Sequence, residues 1–356
     1  MNKRVHFIDN LRWMCVFLLI PYHAAMSYNI WGEKFYIYYE PSKPIAAVVL
    51  LCSPWLMPLM FLLAGVSARF SLKKRGYPGF IKERFIKLGI VFVLGVLLIN
   101  PVLSYFADVT KNAYSDGYFN HYKVFFSRIT DLTGYDGGFA IAHLWFILTL
   151  IIISLEACVV IKLVEVVPVK KRNVLSSICF ILLILAAIAT YKIKIIDKPM
   201  HSYLIMFLLG YFFFGNENFI EKLKKLTWVI VPIFLIADVL NVYLYEYTEG
   251  YYRLNTVCDY LAYVLGVFAI FCLGSLWFDF RNDVTAFFAE ISYVYYIIHF
   301  PILVFFQYIL DKAGMNHTVN FILSILFAVP VTLIFCFVYS KIKHNRLKGK
   351  EMRTKS

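Results

Sequence analysis

Charge is scarce in this chain: Asp, Glu, Lys and Arg together make up 16% of its 356 residues, against roughly a quarter in soluble domains. So few polar side chains cannot cover the water-facing surface of two or three globular domains, and the soluble classes that this length would otherwise allow are excluded. Paired cysteines are missing too. Cys15, Cys52, Cys158, Cys179, Cys258, Cys272 and Cys336 all fall inside apolar runs, without the loop-borne spacing of a disulfide framework or a zinc site. No repeat of fixed period and no low-complexity tract is visible, and no metal is expected.

What the chain has in abundance is apolar sequence, 61% hydrophobic residues at a mean hydropathy of +0.71. A helix crossing a bilayer needs about 20 apolar residues, and ten stretches qualify: 11–30, 47–70, 88–107, 141–161, 173–191, 200–215, 226–246, 256–278, 285–310 and 318–340. The expected fold class is all-α, a polytopic membrane bundle of about ten transmembrane helices. It forms one domain over residues 1–340, followed by a basic tail, 341–356. Lys3 and Arg4 precede the first apolar stretch as in a signal peptide. Asp9, Arg12 and His23 interrupt that stretch and no small-residue cleavage site follows, so it reads as a retained first span.

The net charge of +13, from 35 Lys and Arg against 22 Asp and Glu, needs no nucleic-acid partner in such a chain; it marks one side of a membrane. With the N-terminus in the cytoplasm, the inner segments hold 25 of the 35 basic residues. Both termini are therefore expected inside, with the tail on the anionic leaflet of the cell membrane. The long connection, 108–140, is rich in Tyr, Asp and Gly and falls outside; its length suits a lid or an acceptor platform. Tyrosines cluster at Tyr36, Tyr38 and Tyr39 and again at Tyr243, Tyr245, Tyr247, Tyr251 and Tyr252. They read as an interfacial aromatic belt, with sugar stacking as the alternative.

Ionisable residues within spans are costly and point to function. Arg12, His23, Glu156, Asp238, Glu290 and His299 are the main ones. Arg12 and His23 are eleven residues apart, about 20° beyond three full helical turns, so they share a face with a rise of about 16 Å between them. Asp9, three residues before Arg12, can pair with it as structural support. Ordinary explanations exist for each: Arg12 snorkelling to headgroups, His23 making one interhelical hydrogen bond. Two further histidines change the weighting. His143 lies in His143-Leu144-Trp145-Phe146 at the outer start of the fourth span. His299 lies in the run from Ser292 to Pro301, where Pro301 frees a backbone carbonyl that a neighbour or a cavity must satisfy. On the inner side, Lys73, Lys74, Arg75, Lys82, Arg84 and Lys87 crowd one connection. A positive-inside loop explains most of it, while Arg84 and Lys87, three apart at the start of the third span, could also project toward a phosphate.

These pieces, in this order, resemble the acyltransferase 3 family of integral membrane acyltransferases and, within it, the glucan-biosynthesis group. The stretch from Phe7 to Arg12 and on through Pro21-Tyr22-His23 is similar to the family's first helix, with its Arg or Lys, ten residues, then His. Pro58 to Gly65 resembles the end of the second helix, Phe80 to Gly89 the basic start of the third, and His143-Leu144-Trp145-Phe146 and Ser292 to Pro301 two later landmarks. Two positions depart from the pattern: Ala64 stands where a Ser usually precedes the glycine, and Lys87 where a second Arg is usual. The first puts a hydroxyl role there in doubt; the second keeps the charge and loses bidentate geometry.

The resemblance implies transfer of an acyl group, acetyl or succinyl, from cytoplasmic acyl-CoA to a hydroxyl of an extracytoplasmic carbohydrate. His23 would be the general base, or the carrier of an acyl-histidine intermediate. Arg12 would anchor or polarise the donor. Arg84, Lys87 and Arg69 would bind the coenzyme, and His143, Trp145, His299 and Tyr296 would line the acceptor side. Acyl-CoA is then a donor substrate, no cofactor being permanently bound, and the remaining partners are the carbohydrate and the bilayer. Two rivals use the same bundle without the chemistry: a transporter or flippase of a glycan intermediate, and a scaffold of a polysaccharide synthase. Neither related halves nor paired broken helices favour the transporter.

Overall fold

The computed structural model describes residues 6–166 and 169–353. Lys3, Arg4 and Lys355, and the side chains of Lys170, Lys171, Arg172, Lys348, Lys350 and Arg353, all counted in the charge asymmetry, lie outside the described residues. Regular structure among the described residues is helical, with two isolated bridge pairs, Ile129–Phe139 and Ile195–Lys198, and no strand. In chain order the helices are α1 (His6–Phe17), α2 (Leu19–Met26), α3 (Lys43–Cys52), α4 (Leu56–Arg84), α5 (Ile90–Leu98), α6 (Asn100–Lys111), α7 (Tyr118–Ser127) and α8 (Trp145–Glu165). Then follow α9 (Val169–Thr190), α10 (Met200–Leu209), α11 (Glu217–Lys224), α12 (Thr227–Tyr247), α13 (Tyr252–Trp277), α14 (Asp283–Lys312) and α15 (His317–Arg353).

Among the described residues, six helical segments are long and apolar enough to cross a bilayer, or seven if the bent pair Met200–Phe214 and Glu217–Lys224, at 99°, counts as one. The ten apolar stretches map onto these segments unevenly. Stretches 47–70 and 88–107 belong to one helical segment, Lys43–Lys111, and of 173–191 only Ser177–Thr190 stands as a shorter apolar helix. The first stretch is divided at Leu18 into α1 and α2. Pro21 accounts for the division, since it has no N–H for the carbonyl of Phe17 four residues back. The helix then resumes, with Leu18 N–H on Met14 O at 3.1 Å and Tyr22 N–H on Leu18 O at 3.1 Å. Helix α15 continues from the last apolar stretch into the basic residues as far as Arg353.

The chain divides into two compact units. The first comprises Met1–Leu11, Leu50–Val93 and Trp145–Phe280. Its α1 segment is capped by Asp279, whose Oδ1 accepts the backbone N–H groups of His6 at 2.8 Å and Phe7 at 3.2 Å. A carboxylate there meets both the orphan amides and the positive end of the helix dipole. Asn10 Nδ2 then donates to Phe278 O and Phe280 O, at 2.6 and 2.8 Å. Within α4 the backbone breaks at Gly76, with φ 65° and ψ 178°, a conformation open to glycine, so Tyr77–Arg84 starts a new direction. Helices α4 and α10 meet backbone to backbone: a Cβ on Gly65 would lie 1.9 Å from Phe207 O, and one on Gly210 would lie 2.1 Å from Leu62 O. Gly210 is thus used inside the fold, against the backbone of Leu62.

The second unit comprises Arg12–Val49, Leu94–Leu144 and Arg281–Ser356. Its frame is the antiparallel pair α14 and α15. Asn282 opens α14 in a capping box with Thr285, and Gly314, at φ 69°, turns the chain after Lys312. Glu290, flagged as an ion within a span, pairs across this hairpin with Lys343 at 2.9 Å. Buried amides tie the hairpin to the segment after α2: Gln307 Nε2 donates to Ser27 Oγ at 3.2 Å, and Asn320 Nδ2 donates to Tyr39 Oη at 2.8 Å.

The glycine contact makes a direct test. Gly65→Val should lower the stability of the purified protein by about 1–3 kcal/mol or more, because carbonyl oxygens of a packed helix cannot give way to a branched side chain. Gly89→Ala, where the nearest atom is a side-chain carbon at 3.9 Å, should be within about 0.5 kcal/mol of wild type. Thermal unfolding of both variants in one detergent checks the pair.

Candidate functional site

In the second unit, α14 carries a proline in its interior, Pro301. Without an N–H at that position the carbonyl of Ile297 loses its helical partner. The described partner of that carbonyl is His143, whose Nε2 donates to Ile297 O at 3.0 Å. His143 sits in a single 3₁₀ turn, Ala142–Leu144, at the end of the long connection. Its own carbonyl accepts the hydroxyl of Tyr296, one residue before Ile297. Two reciprocal bonds thus fasten His143 to one turn of α14.

His299 lies on the same turn and folds back on it, with Nδ1 donating to Tyr296 O at 2.7 Å and Tyr295 O at 3.1 Å. The third ring is His23 from α2. Its centroid is 5.5 Å from that of His299, and the His143 ring is also 5.5 Å from His299. Phe300 is the plate on which they gather: His23 stacks on it at 4.2 Å with 16° between planes, and His143 meets it edge-on at 5.3 Å. Both His143 and His299 are buried, at 4% and 0% exposure. Nδ1 of His23, Nδ1 of His143 and Nε2 of His299 are buried atoms with no hydrogen-bond partner among the described residues. Three unpartnered imidazole nitrogens in one cluster are an exception to the near-universal pairing of buried polar groups. Chemically they can accept a proton or a hydrogen bond. No group of three or more His, Cys, Asp or Glu able to hold a metal ion occurs among the described residues.

The connection 108–140 is built around one carboxylate. Asp108, 1% exposed, belongs to α6 and accepts His121 Nε2 at 2.7 Å, Asn112 Nδ2 at 2.7 Å, the Gly138 amide at 3.3 Å and Arg128 Nη2. Gly137 and Gly138 permit this approach, since a Cβ on Gly137 would fall 2.3 Å from the Asp108 carboxyl. The return of the connection is then fixed. Tyr36 Oη donates to Thr133 O at 2.5 Å, and the Tyr135 ring packs 5.0 Å from Phe35 and 5.1 Å from Tyr36. Phe35 in turn lies parallel to His23 at 6.4 Å. Neither Asp108, His121 and Arg128 nor Phe35 and Phe300 stood out in the sequence.

The other expected site residues are placed differently. Arg12 is in α1, half-buried, and belongs to the same unit as His23; Asp9 shares that helix. Trp145 belongs to the first unit, where it stacks on Tyr203 at 6.0 Å with Lys198 Nζ 5.1 Å from its ring. Arg69, also there, donates through Nη1 to Tyr211 O at 3.0 Å and Phe212 O at 3.2 Å, bracing the π-helical turn Gly210–Phe214. Arg84 lays its guanidinium 4.7 Å over the Phe80 ring. Lys87, in a second π-helical turn Phe85–Gly89, pairs with Glu83 at 2.6 Å, and Glu83 also takes Arg75. The basic cluster therefore contains its own acid. Of the remaining ions, Asp238 is buried with Oδ1 unpartnered among the described residues, and Glu156 is exposed. The tyrosine clusters divide: Tyr36 and Tyr39 are buried, whereas Tyr243, Tyr245, Tyr247, Tyr251 and Tyr252 are exposed.

Residues 5–341 match the model of an acyltransferase domain, Acyl_transf_3. Glucans biosynthesis protein C of Salmonella paratyphi B is 21% identical to the chain, covering 95% of it and 92% of the relative. The protein of that name from Shigella dysenteriae serotype 1 is 22% identical, covering 96% and 92%. No solved structure matches the chain.

The Asp108 hub has a measurable consequence. Asp108→Ala leaves His121 and Arg128 without their shared acceptor; the buried His121 ring then lacks its hydrogen-bond partner, a loss of about 1–3 kcal/mol, while Arg128 is partly open to solvent. The variant should expose the segment between Asn112 and Phe139 to limited proteolysis at protease levels that leave wild type intact, read by mass spectrometry of the fragments.

Proposed function

The chain belongs to the acyltransferase 3 family of integral membrane acyltransferases, and from that premise we propose that it transfers an acyl group from acyl-CoA to a carbohydrate hydroxyl. The donor, acetyl- or succinyl-CoA, approaches from the cytoplasm; the acceptor lies across the cell membrane, with both termini cytoplasmic. The name shared by the relatives makes a glucan the first acceptor to test. The observation that carries the reading is the histidine cluster, three rings with unpartnered nitrogens gathered on Phe300.

In this reading His23 is the general base. It takes the proton from the acceptor hydroxyl as the oxygen attacks the thioester carbonyl carbon. The carbon–sulfur bond then breaks, and the proton passes from His23 to the departing sulfur, giving the ester and coenzyme A. The stacking of His23 on Phe300 and Phe35 supports this role because it fixes the ring plane before substrate arrives. Arg12 anchors or polarises the donor, Arg84 and Lys87 hold the coenzyme phosphates, and Arg69 braces the turn Gly210–Phe214. Glu83, paired with Lys87 at 2.6 Å, is the natural competitor of those phosphates.

His23→Ala should reduce transfer of labelled acetyl groups to a glucan oligosaccharide by about 10²- to 10⁴-fold, the usual contribution of a general base. A histidine that only packs would contribute about 0.6 kcal/mol through one interhelical hydrogen bond, and its loss would change transfer by a few-fold at most. A normally inserted variant with near wild-type turnover would remove His23 from the chemistry.

A further inference from the structure

Two nitrogens beside His23 have a chemical character set by their partners. His143 donates from Nε2 to Ile297 O, and His299 donates from Nδ1 to Tyr296 O and Tyr295 O. A carbonyl oxygen only accepts, so the hydrogen on each ring sits on the nitrogen facing the carbonyl. In the neutral ring the other nitrogen, Nδ1 of His143 and Nε2 of His299, carries a lone pair and no hydrogen. Both atoms are buried and unpartnered among the described residues.

Neither tautomer can easily change. Pro301 keeps the Ile297 carbonyl free for His143, the Tyr296 hydroxyl holds the His143 backbone, and His299 is bonded to its own helix. A fixed acceptor hidden from water carries its full desolvation cost unless a donor reaches it. Two of them, on rings 5.5 Å apart and with one of those rings 5.5 Å from His23, lie within the compass of a single pyranose-sized ring. A carboxylate or phosphate next to the reacting group would meet lone pairs with lone pairs.

We propose that His143 Nδ1 and His299 Nε2 form a two-acceptor subsite for hydroxyls flanking the one that is acylated. The subsite selects 1,2-diols and polyols over mono-alcohols and over acceptors with an anionic neighbour. This rests on the reading of His23 as the base and adds a selectivity rule to it.

The test uses the full-length protein, acetyl-CoA and two small probes that differ by one hydroxyl, trans-1,2-cyclohexanediol and cyclohexanol. Wild type should favour the diol by about tenfold or more in kcat/KM, because a site built to receive a hydroxyl penalises an analogue lacking it. In His143→Leu and His299→Leu the preference should fall to about twofold, the statistical factor for two equivalent hydroxyls. His143→Asn, whose amide oxygen can replace the lone pair of Nδ1, should retain an intermediate preference. Equilibrium binding of both probes to His23→Ala separates recognition from turnover, and the diol should bind more tightly there too. A wild-type preference of twofold or less, or Leu variants with the wild-type preference, would overturn the subsite. Continued transfer by His23→Ala would overturn the base assignment, while the binding comparison still decides the subsite.

Discussion

A carbonyl without a partner in a hydrocarbon environment must find one, and the fold of the second unit turns on how one such carbonyl is met. Pro301 withholds the N–H that Ile297 O would receive in an unbroken helix. His143 supplies the hydrogen instead, and the Tyr296 hydroxyl returns a bond to the His143 backbone. Because His143 must donate there, its remaining nitrogen must accept. The position of the ring and its chemical character therefore have one cause. The same turn holds His299 by its own carbonyls and offers Phe300 as the surface on which His23 stacks.

The long connection serves this arrangement from its other end. Asp108 gathers His121, Arg128, Asn112 and Gly138 around a buried carboxylate. The backbone then proceeds through Phe139 N–H on Arg128 O at 2.7 Å, and Asn100 Nδ2 on Ala140 O at 2.9 Å, to His143. Tyr135 on the same return packs against Phe35, which is parallel to His23. An ionic hub and an aromatic row thus converge on the histidines from the same connection. Charged hydrogen bonds in a desolvated setting suit such a task, since they are strong and directional.

Much of this was legible in the sequence, because the bilayer punishes exceptions. Arg12, His23 and His299 stand out against apolar runs, and Pro301 announces a carbonyl in need of a neighbour. The identity of that neighbour, His143, is more than 150 positions away and depends on tertiary packing. Periodicity also hid the departures from ideal helices. The π-helical turns at Phe85–Gly89 and Gly210–Phe214 and the break at Gly76 change the phase of the residues that follow. Arg69 meets the carbonyls of Tyr211 and Phe212, on a segment more than 140 positions away, which no helical wheel of its own segment shows, whereas Lys87 and Glu83 pair at the ordinary i,i+4 spacing. Asp108 was hidden for the opposite reason: in a polar connection a carboxylate is unremarked, and only its burial reveals its role. Apolar length alone also does not register the division at Leu18 or the break at Gly76.

A bundle with buried histidines can move a glycan or modify it, and the unpartnered nitrogens favour modification because they accept protons and hydrogen bonds from hydroxyls. The direct measurement places purified protein in sealed vesicles with a glucan oligosaccharide enclosed and acetyl-CoA, labelled on the acetyl group, supplied to the cytoplasmic face. The account predicts that label becomes covalently attached to the enclosed glucan while free coenzyme A accumulates on the donor side, one for one. Passage of unmodified glucan across the membrane with no release of coenzyme A would contradict it.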